Sequence, residues 1–181
     1  MQYQDCAYEV QADEAISEKA YVYGPVPFGL ELADANINAQ TGLATDYLNH
    51  FNEAIMLLEM AGNGPDCIAE IRRWQPMSYR EHFLESRLKA RELAIAAYAG
   101  ADPAARASLD NLASTMTTVI ETTRARLTED LPPQAAGDVA GRAVVWLKQL
   151  VARAGAVING AIDLDPLDAP QAAVDRLMRH G

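Results

Sequence analysis

Apolar residues recur three and four positions apart over the second half of the chain, which is the spacing of a buried face on an α-helix. Two long stretches show this spacing, and Pro132-Pro133 separates them. Almost no stretch alternates apolar and polar residues as a β-strand does. The pattern therefore predicts an all-α protein. The two sets of seam positions are Leu109, Leu112, Met116, Val119, Thr123 and Leu127, and then Ala136, Val139, Ala143, Leu147, Leu150, Ala154, Val157 and Ala161.

Local start and stop signals define further helices in the middle of the chain. Residues 43–61 carry one apolar stripe and end at Gly-Asn-Gly-Pro, a sequence that stops a helix. A short helix is predicted at about 65–74. Ser78 and Glu81 have the spacing of a capping box, in which each side chain binds an otherwise free backbone N–H. We therefore expect a helix over 78–99. The stripe in 43–61 consists of Leu43, Tyr47, Phe51, Ala54 and Leu58.

Short connections force consecutive long helices to run antiparallel. The connection at 99–103 ends in Asp102-Pro103, an N-cap followed by proline at the first helical position, and the next connection lies at 130–133. We therefore expect residues 43–162 to form an up-down four-helix bundle. The length suits one domain over residues 1–181.

The last long helix carries apolar surface beyond its seam. Val145, Trp146 and Ala156 all fall outside the seam positions. A helix that is apolar on more than one side is usually central, or else it holds a dimer contact. Val145 and Trp146 are therefore candidates for an interaction surface.

The two ends of the chain are less regular than its middle. Residues 1–40 are expected to form an acidic arm that wraps the bundle, with helical stretches at 12–22 and 30–40. The prolines in 24–29 predict an extended turn between these stretches, because proline restricts the preceding residue and lacks an N–H donor. A short terminal helix is predicted over 168–180.

Charge is segregated along the sequence. The first 66 residues hold eleven acidic residues and a single lysine, whereas the remainder is neutral in sum. Such an arm repels nucleic acid and anionic lipid and attracts a basic partner, so neither nucleic acid nor membrane is an expected partner. Its acids either dock on the chain's own basic stretch, where Arg72 and Arg73 are candidate contacts, or face water. The stretch comprises Arg72, Arg73, Arg80, Arg87, Lys89 and Arg91.

Motifs for common chemistry are missing from the sequence. There is no phosphate-binding glycine loop and no nucleophile elbow, and Cys6 and Cys67 are too far apart for a CxxC pair. The start lacks the pattern of a secretory signal, so a cytoplasmic protein is expected.

One repeated tetrad contains residues that could bind a metal. His50-Phe-Asn-Glu53 and His82-Phe-Leu-Glu85 both have the form HFxE. Residues three apart lie on one helix face, so two such pairs on neighbouring helices would offer two nitrogens and two oxygens to a divalent metal. This alternative predicts a metal-binding bundle that holds iron, manganese or zinc and supports redox or oxygen chemistry.

Helical geometry favours a different interpretation. At about 100° per residue, each histidine falls at the flank of its apolar stripe and each glutamate lies nearer to solvent. We therefore expect His50 and His82 to make hydrogen bonds at the edge of the seam, and Glu53 and Glu85 to join the polar face. The sequence as a whole favours a non-enzymatic bundle without a cofactor that binds a protein partner or associates with itself.

Overall fold

The computed structural model describes residues 29–161, apart from Glu129. The expectations for 12–22, for most of the turn at 24–29 and for 168–180 lie outside the described residues. Within them the chain is helical and contains no strand, which confirms the all-α class. The helices are α1 (Gly29–Asp34), α2 (Leu48–Glu59), α3 (Pro65–Arg73), α4 (Tyr79–Glu85), α5 (Arg91–Ala99), α6 (Pro103–Arg126) and α7 (Pro133–Ile158), with 3₁₀ turns at Thr45–Tyr47 and Ala61–Asn63.

Local capping signals set the starts of α4, α6 and α7. Ser78 accepts a hydrogen bond from the Glu81 backbone, and Glu81 accepts one from the Ser78 backbone, so the predicted capping box is present. Asp102 accepts from the backbone N–H of Ala105 at 2.8 Å and caps α6. Proline opens α7 at its first position. The predicted capping box at Ser78 and the predicted N-cap at Asp102 are confirmed, because each depends on contacts within a few residues.

The predicted seams are largely buried in the core. All six seam residues of α6 are buried. On α7, Val139 is partly buried and Ala161 is exposed, while the rest of the predicted set is buried. α7 packs against both α6 and α2. A Cβ atom added to Gly62 would lie 3.3 Å from the Cα of Gly137, so the backbones at one end of the α2–α7 contact approach closely.

The prediction of one helix over 78–99 is wrong, since the structure has two helices there. α4 ends at Ser86, whose backbone is extended at φ −69° and ψ 154°. The Ser86 hydroxyl donates to the carbonyl of Phe83, and Arg91 donates to the carbonyl of Ser86. The break allows Phe83 of α4 and Ala94 of α5 both to be buried. No glycine or proline marks this break in the sequence.

The helix predicted over 30–40 is also too long. α1 ends at Asp34, and Asn36 takes a left-handed conformation with φ 56°. The amide of Ile37 then donates to the carbonyl of Leu32, which is the pairing of a Schellman cap. Leu32 and Ile37 are buried in the core, so this part of the predicted arm packs on the helices.

The up-down four-helix topology stays a prediction. One of the four predicted helices, over 78–99, is divided into the two short helices α4 and α5. No helix within 29–161 has both the length and the apolar character needed to cross a membrane.

Candidate functional site: a tyrosine cleft and a histidine pair

Two short segments place a set of aromatic rings side by side. The 3₁₀ turn before α2 carries Tyr47, and α2 carries His50. The capping box at Ser78 begins α4, so that Tyr79 and His82 occupy its first turn. Because residues three apart share a face of a helix, the tyrosine and histidine of each segment point the same way.

The rings form a continuous row, which we call the aromatic row. Neighbouring ring centres lie 4.2 to 6.1 Å apart, within or near the range of favourable aromatic pairs. The row brings together five separate elements of the chain. In order it comprises Trp74, His50, His82, Tyr47, Tyr79 and Tyr98.

Hydrogen bonds fix the tyrosine end of the aromatic row. The hydroxyl of Tyr47 donates to the carbonyl of Met77 at 3.0 Å, and that of Tyr79 accepts from the backbone N–H of Ala44 at 2.9 Å. The ring of Tyr98 stacks on that of Tyr79, with centres 4.2 Å apart. These bonds hold the three phenols in one arrangement.

Two charged side chains of α6 complete the surroundings of Tyr98. Its hydroxyl donates to the carboxylate of Asp110 at 2.6 Å. The guanidinium of Arg106 lies over its ring, 5.7 Å from the ring centre, in a cation–π arrangement. Tyr98 is therefore bound to α6 by both its hydroxyl and its ring.

The three phenols stay protonated at physiological pH. Burial raises the pKa of Tyr47, and the negative charge of Asp110 raises it further. Burial also raises the pKa of Tyr79. The pKa of Tyr98 is raised by burial and by its hydrogen bond to Asp110. Neutral phenols act as hydrogen-bonding and stacking groups rather than as nucleophiles or bases.

An open cleft lies beside these tyrosines. Its volume is about 690 Å³, and we call it the tyrosine cleft. Residues 76–81 line it on one side, and α6 lines it on the other with side chains that include Asp110, Ser114, Thr117 and Glu121. The hydroxyl groups of Ser114 and Thr117 and the carboxylates of Asp110 and Glu121 give the cleft hydrogen-bonding and charged groups for a ligand.

The histidine end of the aromatic row is enclosed. His50 is only 4% exposed, and its ring stacks on that of Trp74 with centres 4.6 Å apart. The Nε2 atom of His50 is buried and has no hydrogen-bond partner within the described part of the chain. Burial lowers the pKa of His50 to about 4, and the neighbouring His82 adds to this effect. The imidazole is therefore neutral at pH 7.

His82 is half-buried and lies next to His50, with ring centres 6.1 Å apart. Burial lowers its pKa, whereas a hydrogen bond to the backbone of Asp46 and the charges of Asp46 and Glu53 oppose that shift. Tyr47 contacts the His82 ring at 5.7 Å and so joins the histidine pair to the tyrosines.

The four ligands proposed for a divalent metal are placed unequally. The structure brings His50 and His82 together, but it leaves Glu53 and Glu85 exposed on their helices. Within the described part of the chain, no three residues among histidine, cysteine, aspartate and glutamate lie where they would hold a metal ion together.

The predicted interaction residues lie elsewhere on the surface. Val145 is 58% exposed, and Trp146 is half-buried beside it on α7. Arg72 and Arg73 are exposed at the end of α3, where Arg73 pairs with Glu70 of the same helix. None of these four residues lines the tyrosine cleft. The acidic residues expected to meet the arginines lie mostly outside the described residues.

None of the three tyrosines was predicted as a site residue, although the sequence carries a signal for two of them. The repeated tetrad is part of a longer repeat of the form YxxHFxE, at Tyr47–Glu53 and at Tyr79–Glu85. Equivalent residues meet in the structure, since the ring centres of the two tyrosines lie 5.1 Å apart. Tyr98 and Asp110 belong to no such repeat, and only the tertiary structure brings them to the site.

Comparisons with known proteins add no assignment to this geometry. No family model, curated protein or solved structure matches this chain.

Proposed function

We propose that this chain is a non-enzymatic, cytoplasmic helical protein that binds a segment of another protein in the tyrosine cleft. The observation that carries the proposal is the cleft itself, an open volume of about 690 Å³ beside Tyr47, Tyr79 and Tyr98. Pockets for small molecules and cofactors are typically concave and of roughly 300 to 1,000 Å³, and the cleft has a volume within that range. The size therefore suits several side chains of a partner.

The lining chemistry supports a protein ligand. Tyr98 is the partly exposed tyrosine of the lining, above the buried Tyr47 and Tyr79. Tyrosine combines a broad apolar ring with a polar tip, and it is enriched among the residues that dominate binding energy at interfaces. Ser114 and Thr117 add hydroxyl groups along one face of α6. The hydrogen bonds within the aromatic row fix its tyrosines before any partner arrives, which lowers the entropy lost on binding.

Charge favours a basic segment as the partner. Three acidic residues line the cleft, Glu81, Asp110 and Glu121, against the single basic residue Arg80. Charge of one sign at an interface mainly speeds encounter and rejects partners of the same sign. A segment with lysine or arginine side chains matches this lining, as it would match the acidic first third of the sequence.

Site-specific photocrosslinking tests the proposal. A photoreactive amino acid is placed at Ser114, which is exposed inside the cleft, and at Gln149, which is exposed on α7 away from it. In cells that make the protein, we expect one defined adduct with a different protein from position 114 and none from position 149.

The products distinguish the alternatives. An adduct of twice the chain's mass from position 114 would indicate self-association through the cleft. Identical mixtures of adducts from positions 114 and 149, or no adduct from either, would refute the cleft as the binding site. As a charge control, Glu121→Lys should reduce the yield from position 114, because it reverses one charge of the lining without altering the buried tyrosines.

A further inference from the structure

We propose that His50 and His82 form a two-coordinate site for a single Cu(I) ion. The site lies at the enclosed end of the aromatic row, apart from the tyrosine cleft. It requires only the two imidazole nitrogens as ligands.

The buried nitrogen of His50 is the first observation behind this site. The Nε2 atom has no hydrogen-bond partner among the described residues, although His50 is 96% buried. Buried polar atoms in folded proteins nearly always have a partner, so such an atom requires an explanation, and an ion is one of the recurring explanations. A neutral imidazole nitrogen is a metal ligand.

His82 offers the second ligand. It is half-buried, and its ring centre lies 6.1 Å from that of His50. The negative charges of Asp46 and Glu53 act on His82, so they favour a cation beside it.

The distance between the rings permits one ion to bridge them at a wide angle. Metal–nitrogen bonds of about 2.0 Å, with about 1.2 Å from each nitrogen to its ring centre, allow the two centres to lie at most about 6.4 Å apart on one ion. A tetrahedral angle would bring the centres to about 5 Å. For an ion bound by both rings, the observed separation of 6.1 Å corresponds to an angle of about 145° at the metal. Cu(I), a closed-shell ion, accepts two nitrogens at such a wide angle.

The surroundings also favour a singly charged ion. The rings of Phe51 and Phe83 pack against His50 and His82, with centres 5.4 and 5.1 Å apart, and Trp74 covers His50. Bringing an ion into such apolar surroundings costs more free energy as its charge rises. Zn²⁺ normally takes four ligands, and the described residues offer no group of three around one point.

Competition with a chromogenic Cu(I) chelator, under reducing and oxygen-free conditions, measures the affinity and stoichiometry. The wild-type chain should withdraw one equivalent of Cu(I) from the chelator. His50→Phe and His82→Phe keep an aromatic ring at each position, and each should weaken binding by more than about 100-fold, beyond the 10- to 100-fold that loss of a supporting group produces. Glu85→Gln is the matched control and should leave the affinity unchanged, because Glu85 is exposed.

Other outcomes would overturn the site. Failure of the wild-type chain to withdraw Cu(I), or retention that survives both histidine substitutions, would contradict it. A large loss from Glu85→Gln would indicate a site with carboxylate ligands instead. If a histidine variant does not fold, carbethoxylation of the wild-type chain decides the matter, since the half-buried His82 should be protected by Cu(I) or by redox-inert Ag(I) and not by Zn²⁺. Equal labelling with and without Cu(I) or Ag(I) would refute the proposal.

Discussion

Replacement of Tyr79 by phenylalanine should destabilise the fold by removing one hydroxyl. That hydroxyl is the acceptor for the backbone N–H of Ala44, at 2.9 Å, and Ala44 is 0% exposed. In Tyr79→Phe the ring contacts with Tyr47, Phe83 and Tyr98 are retained, so the loss is confined to the hydrogen bond. The N–H of Ala44 would then be buried without a partner.

The expected magnitude follows from the burial of that donor. A buried polar group left without its partner destabilises the folded state by roughly 1 to 3 kcal/mol, so we expect the free energy of unfolding to fall by about 2 kcal/mol. Tyr98→Phe is the matched control. Its hydroxyl binds Asp110, whose carboxylate is exposed and can be hydrated instead, so the loss should stay below about 1 kcal/mol.

Urea unfolding followed by circular dichroism measures both variants. With a slope of about 1 to 3 kcal/mol per M for a small protein, a loss of about 2 kcal/mol lowers the midpoint by roughly 1 M. The slope itself should not change, because the same surface is exposed on unfolding. A Tyr79→Phe variant within about 0.5 kcal/mol of the wild type, or a larger loss for Tyr98→Phe, would refute the argument that burial of the Ala44 donor sets the effect.

Four further substitutions test the helices and one ion pair between them. Gly141→Ala should stabilise the protein by about 0.5 to 1 kcal/mol, because an added Cβ meets nothing within 4 Å and alanine favours the helix. Gly62→Ala should destabilise the protein, because the added Cβ would lie 3.3 Å from the backbone of α7. Thermal midpoints that shift in opposite directions would agree with both expectations. Asp102→Ala should lose about 1 kcal/mol in urea unfolding through the missing cap of α6, and an unchanged midpoint would contradict this. Lys148→Gln should change the free energy of unfolding by less than about 1 kcal/mol, because the ion pair of Lys148 with Glu59 is exposed. The effect should be smaller at high salt, which screens exposed charges. A loss that does not depend on salt would indicate that Lys148 stabilises the fold in another way.

The candidate site was predictable only in part. The repeated HFxE tetrad identified His50 and His82, which the structure places side by side. The exposure of Glu53 and Glu85 agrees with the helical-wheel argument, since that argument needs only the angle between residues on one helix. The ring contacts between Tyr79 and Tyr98, and the cleft beside them, depend on how α4, α5 and α6 pack, and no local pattern specifies that.

The sequence by itself determined the features that depend on neighbouring residues. The starts of α4 and α6 follow from capping residues within one turn of each helix, and the buried seam of α6 follows from its own periodicity. Such interactions form within a single segment and need no knowledge of the rest of the chain.

Tertiary structure alone decided the break at Ser86 and the alignment of the aromatic row. Residues 78–99 contain no glycine or proline, yet the chain turns at Ser86 and both Phe83 and Ala94 are buried. Trp74 and Tyr98 come to opposite ends of one row through contacts between segments that are distant in sequence. The burial of apolar surface between helices outweighs the small preference of each residue for one conformation, so packing decides where local signals are weak.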